Sequence, residues 1–125
     1  MTYDEFRKEF FTFFKWAMAS SEKARREGLL AIEEELEQIR PSKLGMVKTG
    51  MQLVVDGTDA GIIDKILSNM INQEKDEYAK TLQQIQKEAV LSIQNGDNPR
   101  ITALLMNSYT DISLDDPEFK AIFQY

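Results

Sequence analysis

Two long stretches of this chain carry apolar residues at three- and four-residue steps, with no proline inside either stretch. The first runs from about Thr2 to Ile39 and contains one glycine, Gly28, and the second runs from Thr58 to Asn95. Apolar residues at this spacing line one face of an α-helix, whereas a half-buried strand alternates at every second position. No alternating stretch occurs in the sequence. The chain is therefore predicted to be all-α.

The first stretch carries signals for both ends of a helix. Thr2 and Glu5 have the spacing of a capping box, in which each side chain accepts a hydrogen bond from the backbone of the other residue. Pro41 disfavours helical geometry at the residue before it. One unbroken helix is predicted from Thr2 to Ile39, roughly 50 to 55 Å long at 1.5 Å per residue.

Turn and cap signals divide the rest of the chain. A shorter helix is predicted over about residues 42–55, and Thr58 is expected to cap a long helix that ends at Gly96. Asn98-Pro99 and Asp116-Pro117 each predict the start of a short helix. The predicted fold is one small helical domain over residues 1–125, with two long helices, a shorter helix between them and a short C-terminal helical tail.

Composition excludes several classes of site. The chain has no Cys and no His, so thiolate nucleophiles, imidazole bases and the usual zinc ligands are all missing. Glu33 and Glu37 share a helix face, but di-metal sites in helical bundles also use His. The net charge of −6 disfavours nucleic acid as a partner. We expect no enzyme activity, no catalytic or metal site, no cofactor and no small-molecule substrate.

No stretch approaches the roughly 18 to 20 consecutive apolar residues of a membrane-spanning helix. The nearest candidate is Phe10 to Phe14, which Lys15 ends, and the acidic and basic residues near the N terminus do not fit a signal peptide. The chain as given is expected to be soluble.

Three blocks of sequence carry a resemblance to a known family. In order along the chain they are S-E-K-A-R-R-E-G-L-L-A-I-E-E-E-L-E at 21–37, M-Q-L-V-V-D-G-T-D at 51–59 and A-V-L-S-I-Q-N-G-D-N-P-R at 89–100. These blocks are similar to MotA, the stator subunit of the bacterial flagellar motor. The TolQ and ExbB proteins share the proton-channel core of this family, but that core is absent here.

The resemblance implies how the chain relates to a full-length MotA. Residues 1–73 resemble the cytoplasmic loop between the second and third membrane spans, and residues from about 88 to 125 resemble the C-terminal tail. The junction would lie at about residues 72–88, inside the second long helix. The chain would then be two cytoplasmic pieces joined without the four spans, and a natural soluble paralogue is the alternative.

The resemblance also implies a function and its partners. MotA subunits form a ring around a MotB pair on the bacterial inner membrane, and ion flow turns that ring against the rotor protein FliG on the cytoplasmic side. The implied partners are therefore FliG and, through the spans absent here, MotB and further MotA copies. This chain would be a cytoplasmic part of the torque-generating unit.

The family's two rotor-facing charges are an Arg and a Glu eight residues further on, which match Arg25 and Glu33. On one continuous helix these residues would be about 12 Å apart along the axis and about 80° apart around it. Four neighbouring charges are possible supports: Lys23, Arg26, Glu34 and Glu37. The residues alone also allow a solvated charged face with no partner, in which Glu22 and Arg26 stabilise the helix as an i, i+4 pair.

A second function stays open, namely a generic helical interaction module that binds a partner through Phe10, Phe13 and Phe14. These aromatic residues are explained either by a helix end wrapped by its neighbours or by a segment close to a membrane surface. Charge reversal at Arg25 and Glu33 would abolish binding by a stator surface and would spare binding by an aromatic groove.

Overall fold

The computed structural model describes residues 1–36 and 41–124, without the side chains of residues 41–44. Every regular element in these residues is helical, which confirms the all-α prediction. The two longest helices have 25 and 18 residues and are α1 and α5. The elements in order are α1 (Tyr3–Glu27), a 3-10 turn (Leu29–Ile32), α2 (Glu33–Leu36), α3 (Pro41–Val55), α4 (Ala60–Ile71), α5 (Glu77–Gln94), α6 (Pro99–Asn107) and α7 (Pro117–Ile122).

The first long helix ends earlier than its apolar spacing predicts. α1 begins at the predicted capping box of Thr2 and Glu5 but ends at Glu27, where Gly28 takes a positive φ of 92°. The chain then continues as the 3-10 turn and the short α2. The prediction of one helix from Thr2 to Ile39 is therefore wrong, and Ile39 itself lies outside the described residues.

The second long helix is also interrupted, at residues 72–76 between α4 and α5. The Asp76 carboxylate accepts a hydrogen bond from the Ala79 backbone N–H at 2.8 Å and so caps α5. The Glu74 carboxylate accepts backbone hydrogen bonds from Lys75 and Asp76, at 3.0 and 3.3 Å. These local side-chain bonds compete with helical hydrogen bonds. The prediction of one helix from Thr58 to Asn95 is therefore wrong, and the break falls within the predicted junction.

Two helix corners have the same construction. After α3, Gly57 and Thr58 donate backbone hydrogen bonds to Val54 and Leu53, and after α5, Gly96 and Asp97 bond in the same way to Ile93 and Ser92. This is the Schellman pattern, with a positive-φ glycine in each corner. The next residue, Asp59 or Asn98, then caps the following helix.

The cap assignments follow from these corners. Asp59 caps α4, so the prediction of Thr58 as the cap is wrong by one residue. The segments Asp56-Gly57-Thr58 and Asp97-Asn98-Pro99 therefore have structural roles, because both supply turn or cap residues. The starts predicted at Asn98-Pro99 and Asp116-Pro117 are confirmed by α6 and α7.

The core lies between α1 and α5, which pack against each other and against most of the other helices. The side chains of Phe10, Phe13 and Phe14 are at most 1% exposed. The rings of Phe14 and Phe119 stack with their centroids 4.8 Å apart, which holds α7 on α1. The aromatic start of α1 is thus wrapped by its neighbours, as one of the two interpretations predicted. Buried rings cannot receive a partner, so the prediction of an aromatic binding surface is wrong.

The helix predicted over about residues 42–55 is confirmed by α3, which buries Val47, Met51 and Val54. Among the described helices, none is both long enough and apolar enough to cross a membrane.

Candidate functional site: the Gly28 corner

The predicted site residues lie where the chain turns at the end of α1. We call residues 23–36 the Gly28 corner. The Gly28 N–H donates to the Ala24 carbonyl at 2.8 Å and closes the last turn of α1, and the Gly28 carbonyl accepts from the Ala31 N–H at 3.2 Å and opens the 3-10 turn. The φ and ψ of Gly28 are 92° and 164°, a backbone conformation that residues with a Cβ rarely adopt. Gly28 therefore allows the chain to change direction here.

An ion pair closes the corner. The Lys23 ammonium lies 2.8 Å from the Glu35 carboxylate, although twelve residues separate them. On a continuous helix, twelve residues would separate the two backbones by about 18 Å along the axis. The hydrogen bond that the Lys23 ammonium donates to the Glu35 carboxylate raises the pKa of Lys23 above its ordinary value. Lys23, predicted as a possible supporting charge, thus holds α2 beside α1.

Arg25 and Glu33, the two residues predicted to bind a partner, are both exposed. Arg25 lies in the last turn of α1 and Glu33 begins α2. No hydrogen bond or ion pair within the described part of the chain engages either side chain. The two charges therefore flank the corner from different helices, so the prediction of one continuous helical ridge is wrong.

The other predicted charges fall into two groups. Arg26 and Glu34 are exposed at the corner, and the Arg26 side chain donates to the Glu22 backbone carbonyl at 3.4 Å. No ion pair between Glu22 and Arg26 is present among the described residues, so the predicted i, i+4 pair is not formed. Glu37 lies outside the described residues.

Apolar residues fix the inner side of the corner. Ile32 and Leu36 are 0% and 1% exposed, and Leu29 packs against the same core. Leu30, in contrast, is 70% exposed and lies between the two sets of charges in sequence. Sequence reasoning missed both the pairing of Glu35 and the exposure of Leu30. A usable signal was present, because Arg25 and Arg26 followed by Gly28 is a typical helix end.

The chemistry available at the corner is charge and apolar contact. The described residues contain no group of three or more His, Cys, Asp or Glu side chains placed to hold a metal ion. The corner therefore offers exposed guanidinium and carboxylate groups of opposite sign on a backbone that packing and an ion pair hold in place.

Comparison with known proteins gives three curated relatives, all called motility protein A. The relative from Borreliella burgdorferi is 45% identical over 58 residues, which cover 46% of this chain and 21% of the relative. The Treponema pallidum protein is 37% identical over 60 residues, which cover 48% of this chain and 22% of the relative. The Treponema phagedenis protein is 32% identical over 74 residues, which cover 59% of this chain and 27% of the relative.

The matches thus span between 21% and 27% of the length of these relatives. Neither a protein-family model nor a solved structure matches the chain. The predicted resemblance to MotA is confirmed, because the chain is similar to part of motility protein A.

Proposed function

We propose that this chain is part of a flagellar stator subunit and that its Gly28 corner contacts the rotor protein FliG. The observation that carries the proposal is the exposure of Arg25 and Glu33, both unpaired within the described residues, at one corner of a MotA homologue. As part of a full-length stator, the corner would lie on the cytoplasmic side of the inner membrane. MotB and further MotA subunits would join it through membrane spans.

Charge of both signs makes the corner suitable for electrostatic docking. A rotor surface with a carboxylate opposite Arg25 and a basic group opposite Glu33 would be attracted in one orientation and repelled in the reverse one. Exposed charges of this kind act mainly on the rate and orientation of encounter, and salt screens them over about 8 to 10 Å at physiological ionic strength. The contact is therefore expected to be weak, oriented and salt-sensitive.

Contacts on both sides of the corner would carry a force from its outer segment into the rest of the fold. The Lys23–Glu35 ion pair connects α1 to α2, and the buried Ile32 and Leu36 anchor the outer segment in the core. A load applied to Glu33 would pass through these contacts to α1. No chemical step is proposed for this chain, since its role would be mechanical contact and not catalysis.

Titration of the whole chain with the C-terminal part of FliG, at low and moderate salt, tests the proposal. The test variant is Arg25→Glu with Glu33→Lys, which reverses both charges and keeps the net charge. A matched control is Lys65→Glu with Glu77→Lys, which reverses two exposed charges on α4 and α5. We expect binding that weakens with salt, disappears in the test variant and persists in the control. Equal binding by all three proteins would refute the proposed contact.

A further inference from the structure

We infer that Leu30 is an apolar anchor of this same surface, so that the partner presents an apolar pocket between a basic and an acidic group. This inference rests on the function proposed above and adds to it the chemistry of the partner's surface. Electrostatic contact alone would need only Arg25 and Glu33.

The 3-10 geometry places Leu30 on the outer face together with Glu33. Side chains three residues apart eclipse each other in a 3-10 helix. Leu29 and Ile32 form one such pair, and this pair packs against the core. The next pair is Leu30 and Glu33, and both of these side chains are exposed. One of the two proposed contact residues therefore has a leucine beside it on the same face.

Exposure distinguishes Leu30 from the other surface apolar residues. Its side chain is 70% exposed, whereas Ile62, the next most exposed large apolar residue in the described part of the chain, is 54% exposed. A single exposed leucine is common on protein surfaces. The backbone at Leu30 is turned by Gly28 and held by buried neighbours, so little backbone freedom remains to be lost when a partner covers the side chain.

The charges around Leu30 specify what the pocket is lined with. Arg25 and Arg26 precede it, and Glu33 and Glu34 follow it. A pocket that receives Leu30 therefore needs carboxylates on the arginine side and basic side chains on the glutamate side. Exposed ion pairs add little net affinity, whereas burial of apolar surface is not screened by salt. Leu30 would supply the salt-insensitive part of binding.

The test compares Leu30→Ser with Ile62→Ser, which removes the next most exposed large apolar side chain, on α4, in titrations with the C-terminal part of FliG at two salt concentrations. Burial of most of a leucine side chain corresponds to about a tenfold change in Kd. We expect Leu30→Ser to raise Kd about tenfold at both salt concentrations, and Ile62→Ser and Leu30→Met to bind like the unmodified chain. A helical spectrum and an unchanged unfolding midpoint will show that each variant is folded.

The possible failures are distinguishable. If Leu30→Ser binds as tightly as the unmodified chain while reversal of Arg25 and Glu33 abolishes binding, the anchor is refuted and the rotor contact stands. If the unmodified chain does not bind, or if binding survives the charge reversal, both the rotor contact and the anchor are overturned. A loss of binding in Leu30→Met equal to that in Leu30→Ser would also contradict an apolar anchor.

Discussion

Replacement of Gly28 by alanine tests the corner on which the proposed contact depends. Gly28 has φ 92° and ψ 164°, and a Cβ built at this position meets no atom within 4 Å. Alanine would therefore neither clash with a neighbour nor gain a packing contact. Its effect should come from the backbone alone.

The magnitude follows from two opposing terms. A residue with a Cβ held in this region of φ and ψ is strained by about 1 to 3 kcal/mol. Loss of glycine freedom in the unfolded chain offsets about 0.4 to 1 kcal/mol of that cost. The expected net loss in the free energy of unfolding is therefore about 0 to 2.6 kcal/mol, or about 1.3 kcal/mol at the middle of both ranges.

Continuation of α1 through position 28 would relieve this strain, but at a larger cost. It would take Ile32 and Leu36 out of the core, where each is at most 1% exposed. Burial of such a side chain contributes about 1.5 to 3 kcal/mol. It would also separate Lys23 from Glu35. The strained corner is therefore expected to persist in the alanine variant.

Urea unfolding followed by circular dichroism measures the change, and Gly45→Ala is the matched control. Gly45 lies inside α3, and a Cβ there also meets nothing within 4 Å. Since alanine is favoured over glycine in a helix interior by up to about 1 kcal/mol, the control should be stabilising. The same substitution is thus expected to have opposite signs at the two sites.

A stabilisation by Gly28→Ala equal to that of Gly45→Ala would refute the corner, because position 28 would then have to be helical. A carbodiimide cross-link, which joins a carboxylate directly to an amine, supplies an independent readout. We expect it to join Lys23 to Glu35, whose charged groups lie 2.8 Å apart. A product that joins Lys23 only to Glu27 would indicate a continuous helix instead.

Three further substitutions or conditions test the rest of the fold. The hydrogen bond from Arg7 lowers the pKa of Asp116, so this carboxylate contributes stability above its ordinary pKa and loses it as the pH falls through the lower folded value. The protection factors of the α7 amides, which correct for the pH dependence of intrinsic exchange, should therefore fall below about pH 4. Phe14→Ala removes a fully buried ring and should cost about 3 to 5 kcal/mol in urea unfolding. At Gly50 a Cβ would already lie 3.2 Å from Val90, so Gly50→Leu should destabilise by about 1 to 3 kcal/mol or more.

Each of these predictions has a control. Asp116→Asn should speed exchange in α7 at neutral pH. Asp115→Asn should have little effect, because Asp115 is 87% exposed and its ion pair with Lys120 of α7, at 3.4 Å, lies at the surface. Slow exchange in both variants would contradict the assigned role of Asp116. The control for Phe14→Ala is Ile101→Ala, at an exposed position, which should lower the free energy of unfolding by less than about 0.5 kcal/mol. Gly45→Leu should be far milder than Gly50→Leu, and equal losses would argue against close packing at Gly50.

Helix starts were the part of the fold that the sequence predicted best, because they depend on bonds between near neighbours. The Glu5 N–H donates to the Thr2 hydroxyl at 3.2 Å, and the Thr2 N–H donates to the Glu5 carboxylate at 2.9 Å. The Asn98 side chain accepts from the Arg100 N–H at 2.9 Å in the same local manner. A residue pair of the right kind at the right spacing suffices for such bonds.

The sequence predicted poorly where a helix is interrupted, because the spacing of apolar residues does not show whether a helix continues or breaks. Ala24, Gly28, Ile32 and Leu36 keep a four-residue step whether the chain runs straight or turns and packs back. The turn is favoured by burial of Ile32 and Leu36 and by the Lys23–Glu35 ion pair. Both of these interactions join different elements of the fold, which a pattern of neighbouring residues in the sequence cannot show. Non-local packing of this kind overrides local propensity.

The exposure of Arg25 and Glu33 could be predicted from the sequence, whereas the exposure of Leu30 could not. Charged residues such as Arg25 and Glu33 are exposed in almost any arrangement. Their exposure could therefore be predicted even though the length of the first helix was predicted wrongly. Leu30 follows Leu29 in an amphipathic pattern, and only the 3-10 geometry decides which of the two faces the core. The exposed leucine could not be found without the turn.

The turn at Gly28 would affect how a stator surface transmits force. Side chains on a straight exposed helix can yield under a lateral load, because the helix is held only along its buried stripe. At the Gly28 corner the chain folds back, so Arg25 and Glu33 flank a segment fixed at Ile32 and Leu36 from inside and by Lys23–Glu35 at its edge. If contact with a rotor transmits force, loss of this ion pair should reduce the force transmitted more than the affinity. Glu35→Gln, which breaks the pair and leaves Arg25 and Glu33 in place, should therefore bind FliG almost normally yet impair motility when placed in a full-length stator.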